Sequence, residues 1–301
     1  MIAGGGMAGL TATLTAARLG RRTLALTGDV LGGLLISIET VEGFPGFADG
    51  IAGYDLCPMI QEQASAAGAE FAAGSVQAIA PRDGGWRIVG SEGELQARAV
   101  VIATGAALKE LELPGAERLR GKGVSHCATC DAPLLRNRTV AVVGGGDSAL
   151  QEALTLARFA ERVIILQRGA HLTAQAILRD RVAAQRNIEI RLDTVVEDVV
   201  GDDRVSALRI RNATANSATD LEAEGLFVYI GLKPATTFLR GALTLDPTGR
   251  IPVDDRMRSE RRGLLAAGIV RAASAGRAVA SAGDGAAAAI AADRYLSDGE
   301  W

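Results

Sequence analysis

The stretch Gly4-Gly5-Gly6-Met7-Ala8-Gly9 returns 140 residues later as Gly144-Gly145-Gly146-Asp147-Ser148-Ala149. At the same offset the apolar run 23–26 is matched by 163–166, so each glycine stretch is followed by a helix-length segment and then a strand. The first glycine permits a tight bend, the second lets the backbone approach a pyrophosphate, and the last small residue lets helix and strand pack closely. The repeat therefore predicts two dinucleotide-binding units.

Further apolar runs complete both units. Residues 99–106 are typical of a buried strand in the first unit, and residues 225–231 take the same part in the second. The tail 250–301 contains one more strand-like run, Gly263–Gly268, and a helix predicted from Gly285. No third unit starts there, so we predict an α/β protein with two Rossmann-like domains of three-layer ββα type, the second inserted into the first.

Composition narrows the function classes. The chain has 301 residues, enough for two domains, and a net charge of −3 with acidic and basic residues mixed. This balance gives no general attraction to nucleic acid or to acidic membranes. A signal-peptide pattern is lacking, and no apolar run approaches the roughly 18 residues typical of a membrane span. We expect a cytoplasmic protein without nucleic-acid or membrane partners.

The sequence Cys127-Ala128-Thr129-Cys130-Asp131 directly precedes the second unit. A zinc site would need two more ligands, and the remaining Cys57, His126 and His171 lack ligand spacing, so no metal is expected. A structural disulfide is unusual in a cytoplasmic chain. The pair is therefore interpreted as a redox-active dithiol, with its thiol pKa lowered if a helix begins there. Asp131 is either the proton donor to a leaving thiolate or a helix N-terminal charge.

The other two residues considered as ligands receive plainer interpretations. Cys57 stands among apolar residues and is predicted to be a buried free thiol. His126 could tune the neighbouring thiolate. A solvent-facing position in a loop is the interpretation we favour for it.

Together these features resemble the low-molecular-weight thioredoxin reductase family over nearly the whole chain. The residues that carry the resemblance are Gly4–Gly6 with Ala8–Leu10, Gly32-Gly33, Val41–Gly46, Ala103–Ala106, Gly123–Asp131, Gly144–Ala149, Ala282–Gly285 and Ala292–Leu296.

The resemblance implies an FAD domain made of residues 1–107 and 239–301 around a pyridine-nucleotide domain, 108–238. It implies Cys130 beside the flavin, Cys127 attacking a partner disulfide, and Asp131 as acid/base. The partner would be a thioredoxin-like protein or a small dithiol or disulfide, and the assembly a homodimer. The helix predicted from Gly285 would point its N-terminus at the flavin.

The resemblance also assigns binding residues, among which the backbone of Val76 would meet the adenine. For FAD they are Gly4, Gly6, Met7, Ala8, Gly9, Thr27, Gly32, Gly33, Leu34, Val76, Ala103, Thr104, Gly105, Ile269, Arg277 and Ala278. For the pyridine nucleotide they are Gly144, Gly146, Asp147, Ser148 and Arg168.

Departures from the family pattern bear on the electron donor. Where the family has His-Arg-Arg and a further Arg just beyond, this chain has Gln167-Arg168-Gly169 and no second arginine before Thr173. A 2′-phosphate prefers several charged, forked donors, so NADPH affinity should be weakened. No acidic residue stands at Gln167 to favour NADH either.

Other departures affect FAD. Ile269 stands where an Asp is usual, Gly276-Arg277 replaces an Arg-Gln pair, and Leu34 and Gly43 replace Gln and Asn. Each lost hydrogen bond is worth on the order of 1 kcal/mol. Because the two glycine turns and their backbone contacts remain, we predict that FAD still binds, although less tightly.

Three functions follow. The leading hypothesis is a flavin-dependent disulfide oxidoreductase that feeds electrons through Cys127 and Cys130 to a protein disulfide such as that of thioredoxin. The alternative keeps this chemistry without NADPH, as in relatives that take electrons from ferredoxin or oxidise a substrate dithiol with oxygen. The third is a non-catalytic redox sensor, against which the retained cysteine pair with Asp131 argues.

Overall fold

The computed structural model describes residues 1–239 and 241–301. These residues form two compact units, Met1–Ala107 with Lys233–Trp301, and Leu108–Leu232. The prediction of an α/β protein with one dinucleotide-binding fold inserted into another is confirmed.

The first pass through the outer unit contains eight short strands and two helices. The strands are β1 (Ile2–Ala3), β2 (Leu24–Leu26), β3 (Glu70–Ala72), β4 (Val76–Arg82), β5 (Gly85–Gly90), β6 (Gly93–Ala97), β7 (Val100–Ile102) and β8 (Ala106–Leu108), and the helices are α1 (Met7–Arg18) and α2 (Gly53–Ala66).

The inserted unit contains eight strands and four helices. The strands are β9 (Val124–Ser125), β10 (Thr139–Val143), β11 (Arg162–Leu166), β12 (Ile188–Arg191), β13 (Thr194–Val200), β14 (Ala207–Asn212), β15 (Ser217–Glu222) and β16 (Gly225–Val228), and the helices are α3 (Pro114–Arg118), α4 (Ala128–Asp131), α5 (Asp147–Ala157) and α6 (Ala176–Ala183).

The return to the outer unit adds β17 (Leu232–Pro234), β18 (Leu264–Ala266) and the 21-residue helix α7 (Ala278–Asp298). The predicted start of this helix at Gly285 is wrong, because α7 begins seven residues earlier and Gly285 lies inside it. A Cβ at Gly285 would sit 2.2 Å from the carbonyl oxygen of Ala8, so glycine is needed where α7 crosses α1 rather than at a helix end.

The outer unit is built on a parallel sheet in the order β18-β7-β1-β2-β3. Ile2 pairs with Ala25 on one side and Val101 on the other, so the short central strand is buried between two neighbours. Because all five strands are parallel, their carboxyl ends meet at one edge. The first glycine turn follows β1 at that edge.

A second, antiparallel sheet of β4, β5 and β6 completes the outer unit. Ile79 and Ile88 of this sheet share a buried cluster with Phe238 and Leu239. The sequence placed the return to the outer domain at residue 239. In the structure the outer unit resumes at Lys233, and Phe238, which lay in the predicted inserted domain, packs in the outer core.

The inserted unit repeats the plan with a parallel sheet, β12-β11-β10-β16-β9, and an antiparallel sheet, β13-β14-β15. Val140 pairs with Val163 and with Gly225, which makes β10 the central strand before the second glycine turn. Within the described residues, no helix is long and apolar enough to cross a membrane.

Candidate active site

The first glycine turn is shaped by contacts that leave no room for side chains. Gly4 has φ +118°, and a Cβ there would lie 2.2 Å from the carbonyl oxygen of Ala103. A Cβ at Gly9 would lie 1.8 Å from the carbonyl oxygen of Gly4. Both glycines are therefore required by close backbone approach, as the spacing predicted.

The start of α1 has the chemistry of a phosphate site. Gly6 is the N-cap in an extended conformation, and no side chain caps the helix. A Cβ at Gly6 would meet only the Gly32 carbonyl oxygen, at 4.0 Å, so there is open space beside the first N–H groups of Met7 and Ala8. Free amide donors and the positive end of the helix dipole suit an anion. This part of the chain fits the pyrophosphate of FAD.

The residues after β2 lie against this turn. Gly32 has φ +93° and donates its N–H to the Gly5 carbonyl oxygen at 2.8 Å. Gly33 and Leu34 continue from it into a 3₁₀ turn. A Cβ at Gly5 would touch Thr27 at 2.8 Å, so the end of β2 also flanks the turn. The predicted FAD residues of this segment thus surround the first glycine turn.

Other predicted FAD residues lie along the same sheet edge. Ala103 donates its N–H to the Ala3 carbonyl oxygen at 2.7 Å, and the Thr104 hydroxyl donates to the Ala235 carbonyl oxygen at 2.8 Å. Thr104 leads into Gly105, which has φ +67°. Val76 begins β4 opposite Gly90, and a Cβ at Gly90 would lie 3.6 Å from Leu26 Cδ1, at the end of β2.

The C-terminal segment brings three further predicted residues to this unit. Ile269 lies in a 3₁₀ turn, Gly268–Val270, directly after the end of β18. Arg277 is the N-cap of α7 and Ala278 its first residue, again without a side-chain cap. The helix N-terminus that sequence reasoning assigned to Gly285 is therefore formed at Arg277 and Ala278.

The second glycine turn has nearly the same geometry as the first. Gly144 has φ +133°, and a Cβ there would lie 2.3 Å from the Tyr229 carbonyl oxygen. Gly146 is the uncapped N-cap of α5, and Ser148 in the first turn of α5 is exposed. The Asp147 carboxylate accepts hydrogen bonds from Gln175, from its backbone N–H at 2.7 Å and its side-chain amide at 3.1 Å.

The segment after β11 differs from its counterpart in the outer unit. The Gln167 side-chain amide donates to the His171 carbonyl oxygen at 3.0 Å. A Cβ at Gly145 would lie 2.7 Å from Gln167 Cδ, so this neutral side chain lies over the glycine turn. Arg168 is exposed beside it. The loop therefore presents one guanidinium and one side-chain amide.

Cys127 and Cys130 form a disulfide, with Cα atoms 5.3 Å apart. Cys127 is the N-cap of the short helix α4, and its sulfur accepts the Cys130 N–H at 3.2 Å. The Ser125 hydroxyl accepts the Cys127 N–H at 3.0 Å. Cys130 is exposed, whereas Cys127 and Asp131 are partly exposed. An N–H that points at the Cys127 sulfur stabilises its thiolate once the disulfide opens.

Tyr229 lies beneath this helix. The sequence alone did not identify it as part of the site. It packs with Ala128 and Ala132 in the inserted core, and its hydroxyl is buried. Burial first, and then the nearby charge of Glu152, raise the pKa of Tyr229 far above its usual range. Its carbonyl also packs on Gly144, so one residue contacts both the redox turn and the second glycine turn.

His126 is not the solvent-facing loop residue that sequence reasoning favoured. Its side chain is 20% exposed, and its Nε2 lies 3.3 Å from a carboxylate oxygen of Glu110. Arg120 Nη2 lies 3.2 Å from the same oxygen. The three residues form a polar cluster next to Cys127 that no local sequence signal predicts, because Glu110 stands 16 residues upstream.

Cys57 is buried, as predicted. A Cβ at Gly32 would lie 3.1 Å from its sulfur, so the thiol packs under the loop that flanks the first glycine turn. Burial raises the pKa of the Cys57 thiol to about 11. Among the residues described, no three His, Cys, Asp or Glu side chains are grouped as metal ligands.

Comparison with known proteins shows what this arrangement is similar to. Residues 1–286 match the family described as pyridine nucleotide-disulphide oxidoreductase. The chain is 37% identical over 296 residues to the thioredoxin reductase of Treponema pallidum (strain Nichols), covering 98% of this chain and 96% of that protein. It is 36% identical over 303 residues to the thioredoxin reductase of Peptoclostridium litorale, covering 99% and 96%.

Solved structures give the same result. The chain superposes on the thioredoxin reductase of Lactococcus lactis with a TM-score of 0.95 at 35% identity, covering 98% of this chain and 97% of that one. For the thioredoxin reductase of T. acidophilum the TM-score is 0.94 at 30% identity, with coverage of 98% and 97%.

Proposed function

Because this chain belongs to the pyridine nucleotide-disulphide oxidoreductase family, and within it to the low-molecular-weight thioredoxin reductase type, we propose that it reduces the disulfide of a thioredoxin-class protein. The chain is an oxidoreductase that uses FAD, with a pyridine nucleotide as the usual partner cofactor of its family. The observation that carries the proposal is the Cys127–Cys130 disulfide on an exposed turn, with Asp131 directly after it.

FAD, when bound at the first glycine turn, supplies the two-electron carrier between a reduced donor and this disulfide. Gly6 would let the backbone approach its pyrophosphate, while Gly4 and Gly9 permit the tight bend and the close packing of α1. The free N–H groups at the start of α1 would bind the phosphate oxygens. The uncapped start of α7 at Arg277 and Ala278 offers a second set of amide donors. These residues bind and orient the cofactor.

The dithiol passes the electrons on by exchange. The Cys127 thiolate attacks one sulfur of the partner disulfide, forming a mixed disulfide, and the partner's other sulfur leaves as a thiolate that takes up a proton. Cys130, deprotonated, then attacks the Cys127 sulfur, which re-forms the intramolecular disulfide and releases the second partner thiolate. Two electrons and two protons reach the partner. Asp131 is positioned by α4 to donate one of these protons.

The donor we propose is NADPH, bound at Gly144, Gly146, Asp147 and Ser148 and held at its 2′-phosphate by Arg168 alone. The neutral Gln167 over the turn supports a weaker grip on that phosphate than a cluster of arginines would give. The altered basic segment is also the observation that supports a second class of electron donor, a ferredoxin or a substrate dithiol.

Anaerobic stopped-flow absorbance tests the proposal. The purified yellow protein is mixed with NADPH, with NADH, with a reduced ferredoxin, or with a reduced dithiol, and oxidised thioredoxin is then added. Flavin bleaching by NADPH, followed by thioredoxin reduction that Cys127→Ser and Cys130→Ser both abolish, is the expected result. If only ferredoxin or only a dithiol bleaches the flavin, that compound and not NADPH is the electron donor. A protein that binds no FAD would contradict the proposal altogether.

Two finer features belong to the proposal. We expect a homodimer, since the resemblance implies one, and light scattering after gel filtration measures it directly. We expect the protein in the cytoplasm, where a reducing environment keeps a dithiol system of this kind cycling. Cell fractionation checks that location.

A further inference from the structure

Asp284 of α7 is a charged residue in an interior position. It is 7% exposed, and among residues 1–239 and 241–301 it is the one buried side chain that is an Asp, Glu, Lys, Arg or His. Its carboxylate accepts three hydrogen bonds, from the Gly268 N–H at 3.1 Å, from Arg271 Nε at 2.7 Å and from Arg271 Nη2 at 2.8 Å. The ion pair is bidentate and almost fully removed from water.

A buried ion pair of this kind contributes little to the free energy of folding. Removing two charges from water costs several kcal/mol, and apolar residues of similar size often serve a fold equally well. The hydrogen bonds instead hold a particular backbone conformation. Arg271 also donates from Nη1 to the Ala272 carbonyl oxygen at 2.9 Å, so the guanidinium fixes both ends of the segment that follows β18.

The segment held in this way is the turn Gly268–Arg271. Gly268 has φ +80°, and a Cβ there would lie 2.8 Å from Ala8 Cβ, so the turn is pressed against the first helical turn of α1. On its other side, Ile251 donates its N–H to the Val270 carbonyl oxygen at 3.1 Å. The turn is thus clamped between α7, α1 and the strand-like segment at Ile251.

Its place in the fold is the carboxyl edge of the parallel sheet. The turn follows the last residue of β18 and contacts α1 two residues after the N-cap Gly6. Nucleotides bind at this edge in folds of this type. Ile269 lies in the middle of the turn, and its side chain has no hydrogen-bond donor or acceptor. Whatever polar contact the turn makes with a ligand must come from its backbone.

We propose that Arg271 and Asp284 are positioning residues for FAD: the pair fixes the Gly268–Arg271 turn so that its backbone forms part of the cofactor site. Neither side chain needs to touch FAD. The inference rests on FAD binding alone and is independent of the electron donor and of the protein disulfide that is reduced.

The test compares two ion pairs on the same helix. Asp284→Asn removes the charge of the first pair, and Asp293→Asn is the matched control. Asp293 also lies on α7 and pairs with an arginine, Arg21 Nε at 2.5 Å, but about two and a half helical turns away and with side chains 23–27% exposed. Apoprotein of each variant is titrated with FAD by flavin fluorescence, and the absorption spectrum and thermal unfolding of each holoprotein are recorded.

We expect Asp284→Asn to raise the FAD dissociation constant by at least about tenfold, the effect of losing one charge-assisted set of hydrogen bonds. The flavin absorption bands should lose resolution, because the loosened turn admits water. Asp293→Asn should change the FAD dissociation constant less than about twofold, even if its unfolding temperature falls as far as that of Asp284→Asn. Equal FAD affinities in the two variants would overturn the inference.

A second variant covers failure to fold. Arg271→Met with Asp284→Leu leaves no unpaired buried charge and should fold. It too should bind FAD at least about tenfold more weakly than wild type. Wild-type FAD affinity in this double variant would contradict the positioning role. A wild-type protein that binds FAD but reduces no thioredoxin would count against the proposed function, whereas this inference is decided only by the FAD dissociation constants of the variants.

Discussion

The two glycine turns share a backbone and differ in what surrounds them. Gly4 and Gly144 have φ +118° and +133°, and a Cβ at either would meet a carbonyl oxygen, at 2.2 Å and 2.3 Å. After the second strand, however, Thr27 and Gly32 lie against the turn of the outer unit, whereas Gln167 and Thr173 lie against that of the inserted unit. Glycine spacing therefore shapes both turns alike, and we expect the loop after the second strand to decide which nucleotide each turn binds.

The largest expected effect comes from blocking each turn in its own unit. Gly4→Ala should yield protein without flavin, because the backbone clash cannot relax and the positive φ alone costs about 1–3 kcal/mol. Gly144→Ala should keep the flavin and lose reduction by NADPH. The absorption spectrum and the anaerobic reduction rate measure both. If the two variants lost flavin equally, the assignment of one cofactor to each turn would fail.

A smaller effect should follow from restoring charge after β11. A Cβ at Gly169 would lie 3.6 Å from the Gln167 amide, an ordinary contact, so Gly169→Arg fits without strain. The added guanidinium should lower the Michaelis constant for NADPH about three- to tenfold and leave that for NADH unchanged. The NADH measurement in the same variant is the control. Equal gains for both nucleotides would show that the 2′-phosphate does not lie near this loop.

The sequence dictated the sites of close backbone approach but not the ion pairs across the fold. Gly4, Gly9 and Gly144 are readable because only glycine satisfies their geometry, and Cys127 with Cys130 because the spacing itself carries the chemistry. The Arg271–Asp284 pair was not readable, since two charges 13 residues apart across a turn and a helix have no periodic pattern. The start of α7 was placed too late because Gly285 resembles a helix boundary, whereas its role is contact with α1.

The thiols of the two units should also differ in the rate at which they are alkylated. Burial raises the pKa of Cys57 to about 11, so at pH 8 it should react with iodoacetamide about 100-fold or more slowly than the reduced Cys127 and Cys130 pair. Mass spectrometry of the alkylated protein separates the sites, and Cys57→Ala identifies the slow one. Rapid labelling of Cys57 in the folded protein would contradict its placement under the Gly32 loop.

The same pKa has a consequence for stability. The folded chain keeps a proton on Cys57 that the unfolded chain releases as the pH rises above about 9. The contribution of this thiol to the free energy of unfolding should therefore be complete below that pH and fall between pH 9 and about 11. Denaturant unfolding across this window, with Cys57→Ala as the reference, measures it.

The smallest expected effect is at the surface of the inserted unit. Arg209 and Asp220 form an exposed pair between β14 and β15, with Nε 3.0 Å from Oδ1. The hydrogen bond from Arg209 lowers the pKa of Asp220, yet water screens the pair. Asp220→Asn should leave the unfolding midpoint and FAD affinity unchanged, in contrast to Asp284→Asn. A large loss of stability would mean that exposure is a poor guide to ion pairs in this fold.

The central claim is that electrons leave the protein through Cys127. The direct test mixes reduced Cys130→Ser protein with a thioredoxin whose second active-site cysteine is replaced and whose first is held as a mixed disulfide with 5-thio-2-nitrobenzoate. Attack by the Cys127 thiolate on the thioredoxin sulfur then releases 5-thio-2-nitrobenzoate as the leaving thiolate. Mass spectrometry under non-reducing conditions identifies the products. We predict a one-to-one covalent adduct linked through Cys127, and none with Cys127→Ser. An adduct that forms through Cys130 instead, or no adduct with either variant, would contradict the account.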